Sequence, residues 1–262
     1  MFVTERGEGR PVVMLHGFGV DHRIVLPLDD ALSGRGWRRL YVDLPWAPGW
    51  TGPQTGGAQS IAEALVEGIA DRLGDEPFAV LGNSFGAQLA RYIAHVSEPR
   101  ALGLATLVGV FEPRHESRRL PTPRPLMRDD ALVERAGAAG EAFREIAVIE
   151  TPETLAAQLR WVEPGLRDAD QAVMDAVAAD YALDAEPEDA RPAPFTRPSV
   201  HVFGRQDHVT GYEDGWARRD HYPRGTFAVL DAAGHHAHLE RPTLVAALLQ
   251  DWLDRMDADQ PR

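Results

Sequence analysis

The sequence predicts an α/β domain in which a mostly parallel sheet is flanked by helices and interrupted by a helical insertion. Three observations point there. Short β-type runs alternate with helical patterns through residues 1–112; the runs are mostly apolar, as strands covered on both faces are; and the same texture returns in residues 198–262. Residues 113–197 between them read as a helical cap or lid, so that one core domain is expected in two parts, 1–112 and 198–262, around it.

Taken in order, residues 11–15, 37–43, 78–81 and 102–110 read as buried strands, and residues 24–32, 60–73 and 87–95 as the covering helices. Ser60 with Glu63 three positions on predicts a capped helix start, and Gly74 predicts its end. After Phe111 the texture changes. Pro113, Pro121, Pro123 and Pro125 punctuate a stretch carrying Arg114, Arg118, Arg119, Arg124 and Arg128, where no strand fits. Residues 126–190 are helical and Ala-rich, with Trp161, Val162, Val173, Met174 and Val177 as inward candidates, and Pro187, Pro192, Pro194 and Pro198 close the run. Residues 199–203 and 226–230 read as strands, 243–256 as an amphipathic helix, and 257–262 as a loose tail.

Composition removes whole mechanisms. All 27 basic residues are Arg, and Lys and Cys are both absent. Schiff-base amines, a phosphate-loop lysine, thiol nucleophiles and disulfides are therefore excluded. A net charge of −13 opposes nucleic acid and anionic membranes, which leaves a small-molecule substrate as the expected partner. The first ten residues lack the apolar stretch of a secretory signal, and the longest apolar run, residues 101–111, is far short of a bilayer span. A cytoplasmic protein is expected, without a cofactor or metal, and a homodimer is left open.

The chemistry concentrates at Gly82-Asn83-Ser84-Phe85-Gly86, between a predicted strand and a predicted helix. A sharp turn there exposes a hydroxyl while the glycines admit close backbone approach, which makes Ser84 a nucleophile candidate. A serine hydroxyl needs a base, itself oriented by an acid. Asp207 follows the strand at 199–203, and His235 follows the strand at 226–230, so the chain order is serine, acid, histidine. The turn His16-Gly17-Phe18-Gly19 and the amide of Phe85 can donate to an oxyanion.

In these features the chain resembles the α/β-hydrolase superfamily over residues 3–256, specifically the capped branch of small esterases, haloperoxidase-like enzymes and carbon-carbon bond hydrolases. The run Ala233-Gly234-His235-His236-Ala237-His238-Leu239-Glu240-Arg241-Pro242 resembles the family's segment around its base. The resemblance implies Ser84 as nucleophile, His235 as base, Asp207 as acid, and Phe18 and Phe85 as oxyanion-hole donors. Serine at position 84 departs from the branches with an Asp nucleophile, which open epoxides or release halide. Asn83 resembles the carbon-carbon hydrolases, but it is the only Asn in the chain, and His236 stands where those enzymes carry an aromatic.

The expected activity is therefore a serine hydrolase acting on a small or medium carboxylic ester, lactone or thioester. The alternatives are a carbon-carbon hydrolase of a diketo acid, a cyclase or acyl transferase, and a ligand sensor on the same fold. Trp46, Phe111, Trp161 and His236 are the candidate substrate-binding residues, with Trp50, Phe85 and Phe143 divided between acyl pocket and core. His208, His235, His236 and His238 could suggest a metal, yet lack a helical His-x-x-x-His pair. Glu112 is a second acid candidate, also readable as a solvated carboxylate. The Arg-rich run 114–128 could steer anions or serve as a solvated hinge.

Overall fold

The computed structural model describes residues 1–53 and 56–259. Seven strands form one sheet in the order β1-β3-β2-β4-β5-β6-β7. They are β1 (Phe2–Arg6), β2 (Arg10–Leu15), β3 (Trp37–Val42), β4 (Phe78–Asn83), β5 (Ala101–Leu107), β6 (Ser199–Gly204) and β7 (Gly225–Leu230). Only β1 is antiparallel to its neighbour. Every residue of β4, β5 and β6 is buried, which explains why β4 and β5 show no regular alternation of polar and apolar residues. Successive residues nonetheless serve opposite faces: Val13, Leu15 and Val80 join one apolar cluster, and Val12, Met14 and Leu81 the other.

Helices α1 (Asp29–Leu32), α2 (Ala58–Leu73) and α3 (Phe85–Val96) lie in the first part of the chain. Between β5 and β6 come α4 (Asp130–Ala136), α5 (Ala138–Ile146), α6 (Pro152–Trp161), α7 (Glu163–Asp168), α8 (Gln171–Ala179) and α9 (Pro187–Ala190). These starts have local causes. Asp129 and Asp170 accept first-turn amides, and Thr151 forms a capping box with Thr154. Leu132, Phe143, Ala147 and Leu155 make a small apolar cluster of their own, while Val162 and Val177 reach into the two clusters of the sheet. After β6 follow α10 (Glu213–Ala217), α11 (Ala237–Glu240) and α12 (Pro242–Ala258). No helix among the described residues is long and apolar enough to cross a membrane.

Five details depart from the sequence reading. Strand β1 is an additional, half-exposed edge too short for a periodic signal. Residues 24–32 do not form one helix: Pro27, which lacks an amide donor, sits in a 3-10 turn, His22–Leu28, followed by the single turn of α1. Helix α2 starts at Ala58 rather than at a Ser60 cap, because the Ala58 amide donates to the Asp180 carbonyl at 2.9 Å. Strand β5 stops at Leu107, where Val108 turns the chain at φ +44°. The last helix runs to Ala258, with Asp257 held by Arg10 and by the Trp37 indole, so the expected tail is helical at its start; residues 260–262 lie outside the described residues.

Candidate active site

Strand β4 ends at Asn83, helix α3 begins at Phe85, and Ser84 makes the turn between them at φ +53°. Such a conformation is costly for a residue with a Cβ and persists only where its surroundings enforce it. Here the enforcement is visible. The Ser84 amide donates to Leu107 O at 2.9 Å, and the Ser84 carbonyl accepts from Ala87 and Val110. A Cβ at Gly82 would lie 2.2 Å from Gly86 O, and one at Gly86 would lie 2.3 Å from His16 O. Both glycines are therefore required by packing, and the motif is a statement about space as much as chemistry.

His235 and Asp207 come from the loops that follow β7 and β6. His235 Nε2 lies 2.9 Å from Ser84 Oγ, and His235 Nδ1 lies 3.1 Å from Asp207 Oδ2. Asp207 is fully buried. Its Oδ1 accepts from the Val209 and Thr210 amides at 2.9 and 3.1 Å, and its Oδ2 accepts from the Thr210 hydroxyl at 2.6 Å. Burial opposes the charge on Asp207, but the facing His235 and the hydrogen bonds from His235 and Thr210 outweigh it and hold the carboxyl below its usual range. An ionised carboxylate can only accept, so Nδ1 of His235 carries the proton and Nε2 presents its lone pair to the serine hydroxyl. Thr210 escaped the sequence reading, although its Asp-x-x-Thr spacing is that of a local side-chain turn.

The turn after β2 is fixed by His16, which is fully buried. Its Nδ1–H donates to Gly17 O at 2.8 Å and its Nε2 accepts from the Leu44 amide at 2.9 Å. Burial lowers its pKa, which suits a neutral ring in that role. Phe18 follows, half-buried, with its ring against Trp46, Phe85 and Tyr181. The Phe85 amide is the first of α3, at the positive end of that helix.

A cavity of about 470 Å³ opens at this point, lined by Phe18, Asn83, Ser84, His208, His235 and His236 from the sheet side and by Ile146, Gln158, Val162 and Glu163 from the segment between β5 and β6. His236 is thus in the wall. The other three predicted substrate-binding residues are not. Trp46 is in the core, its indole N–H donating to Val20 O at 2.7 Å. Phe111 is buried beneath the Arg91 guanidinium, 4.2 Å from its ring centre. Trp161 packs under Arg160, and its neighbour Val162 lines the cavity instead. Large aromatic rings fill the interior of this sheet, and sequence spacing did not separate core from wall.

The remaining candidates have separate places. Glu112 accepts from the Arg114 amide at 3.0 Å rather than from His235. His238 is buried, with Nε2–H donating to Ile24 O at 2.9 Å. Arg118 donates to the carbonyls of Glu112, Pro113 and Val209, and with Arg114 it lines a second cavity, of about 650 Å³, that shares Phe18 and Tyr181 with the first. Gln158, Glu163, Ile146 and Tyr181 line the cavity beside Ser84 but carried no signal in an Ala-rich stretch whose helical register has no anchor, and Val162, read only as an inward residue, lines it as well.

Comparison with known proteins agrees with this architecture. A hydrolase from Oenococcus oeni PSU-1, described as an alpha/beta superfamily hydrolase, superposes with a TM-score of 0.90 at 23% identity, covering 97% of this chain and 95% of that one. An esterase from Exiguobacterium antarcticum superposes with a TM-score of 0.73 at 23% identity, covering 96% and 94%. A bromoperoxidase from Bacillus anthracis gives 0.72 at 16% identity, covering 96% and 94%. A pimeloyl-[acyl-carrier protein] methyl ester esterase from Shewanella sp. (strain MR-7) is 36% identical over 69 residues, which are 26% of this chain and 25% of that relative. The sequence profile of the alpha/beta hydrolase fold matches residues 10–242, and the chain belongs to that family.

Proposed function

We propose that this protein is a serine hydrolase that cleaves small or medium carboxylic esters, lactones or thioesters through an acyl-enzyme. The observation that carries the reading is the continuous line of contacts from Ser84 Oγ to His235 to the buried Asp207, at a turn whose backbone is held in a strained conformation. Ser84 attacks the carbonyl carbon while His235 Nε2 takes its proton, and Asp207 steadies the imidazolium that results. The amides of Phe18 and Phe85 receive the oxyanion. His235 then protonates the leaving alcohol, and a water deprotonated by the same imidazole releases the acid and restores Ser84. Residues 113–197 act as the cap, a reading supported by their share of the cavity wall. The esterase names among the similar proteins point the same way.

A diketo-acid carbon-carbon hydrolase is the second reading, favoured by Asn83 in the cavity wall. It needs a counter-charge for the substrate carboxylate, and no Arg stands among the described residues that line this cavity. The ester reading is therefore preferred. Replacing Ser84 by Ala is expected to abolish hydrolysis of a p-nitrophenyl ester while leaving the circular dichroism spectrum unchanged. An undiminished rate in that variant overturns the proposal.

A further inference from the structure

The carboxylate of Glu240 joins two segments that meet at the cavity beside Ser84. It stands at the end of α11 and is partly buried. Its Oε2 accepts from the amide of Gly234, the residue before His235, at 2.6 Å. Its Oε1 accepts from the Val148 amide at 2.7 Å and the Ile149 amide at 3.3 Å, in the loop that follows α5. Ala142, Glu145 and Ile146 of α5 line the cavity, so this loop continues directly from its wall. The two segments also touch: a Cβ at Gly234 would lie 2.7 Å from Val148 Cγ2. Among the described residues no Arg or His pairs with Glu240, and its hydrogen bonds come from these amides alone. Burial raises its pKa, and the three amides offset part of that. A buried carboxylate without a cation is costly to keep. What it supplies is an acceptor at both ends, whereas a glutamine would set its NH2 group against an N–H at one of them.

We propose that Glu240 is a positioning residue that fixes the α5 wall of the cavity and the loop of the base relative to one another, so that His235 keeps its line to Ser84 only while that wall is in place. This deepens the hydrolase reading above, and its kinetic test rests on that reading. The imidazole itself is held by Ser84 and Asp207, but the backbone that carries it is placed by side chains. The Ala233 amide donates to Gln206 Oε1 at 3.2 Å, and the Gly234 amide donates to Glu240. Without the second bond the loop is free to shift, and a misplacement of about 1 Å can cost about a hundredfold in rate.

The test compares the parent protein with Glu240→Gln, using p-nitrophenyl acetate and p-nitrophenyl octanoate. In the variant kcat is expected to fall about tenfold to a hundredfold for both esters, because the base is displaced. KM for the octanoate is expected to rise about threefold or more, because the wall that its chain lies against loosens. A lowered urea midpoint with kcat and KM unchanged marks a merely structural residue and overturns the proposal. So does a change in kcat alone, or in KM alone, since either leaves the two segments independent. Residue-resolved hydrogen exchange supplies a readout without turnover, on the parent protein as well as the variant. In the parent, the amides of Gly234 and Val148 are expected to open as one unit, with protection agreeing within about tenfold. In Glu240→Gln both are expected to lose protection together. A larger difference in the parent, or a loss at one amide alone in the variant, overturns the proposal. Should the parent turn over no ester, the hydrolase reading falls, and the exchange measurements decide the role of Glu240 by themselves.

Discussion

At the scale of single residues, Asp207 is the side chain on which most converges, since it takes hydrogen bonds from His235, Thr210 and two amides. In Asp207→Asn the carboxamide can donate to Nδ1, which favours the tautomer with Nε2 protonated and removes the base from Ser84. A fall in kcat of about 10³–10⁴ is expected, read from steady-state ester hydrolysis. Thr210→Val removes one donor and leaves the amides, so a smaller loss, about tenfold, is expected in the same assay. Gly86→Ala drives a Cβ into the His16 carbonyl and is expected to cost about 1–3 kcal/mol in urea unfolding, or to prevent folding. That Ser84, Asp207 and His235 come together was legible because each stands at the end of a strand that composition reveals, in an order one family uses. Trp46, Phe111 and Trp161 were misjudged because an aromatic ring reads alike whether it fills a core or faces a cavity.

At the scale of elements, the tie between α3 and the end of the segment that joins β5 to β6 is ionic and buried. Arg91 on α3 donates to both oxygens of Glu188 at 2.8 Å and to Val110 O at 2.6 Å, touches Glu186, and is fully buried. Tyr222 donates to the same Glu188. Burial disfavours the Arg91 charge, but the two glutamates outweigh that and raise its pKa further above its usual value. Removing one partner strands the others away from water, so Arg91→Met is expected to destabilise the fold by about 3–5 kcal/mol, measurable by chemical denaturation. Elements with a nearly unbroken apolar run, such as β4 and β5, were readable from the sequence. Strand β1, the early start of α2 and the Arg91 cluster were not, since each depends on a partner distant along the chain: β3 for β1, Asp180 for Ala58, Glu188 for Arg91.

At the scale of the whole molecule, buried neutral histidines link stability to pH. Burial pushes His95 down to about 4, His201 to about 3 and His238 to about 4. His95 Nδ1–H donates to the Arg91 carbonyl at 2.7 Å, so its Nε2 accepts from His221 at 2.9 Å. In the unfolded chain these rings protonate near the ordinary value of about 6.5. Above that pH both states are neutral and the three add no pH dependence. Below it the unfolded state binds protons that the folded state refuses, so stability is lost as pH falls from about 6.5 towards about 4, at up to about 1.4 kcal/mol per pH unit for each ring. Urea midpoints measured from pH 8 to 4.5 check this; a level midpoint below 6.5 refutes it. The same architecture bears on how such a chain is re-engineered. Residues 113–197 depart after one strand and re-enter at its direct neighbour, since β5 and β6 are paired, so a different segment grafted between them closes the sheet without rethreading it. The graft carries one obligation: it brings an equivalent of the Glu186 and Glu188 carboxylates, or Arg91 is exchanged along with it.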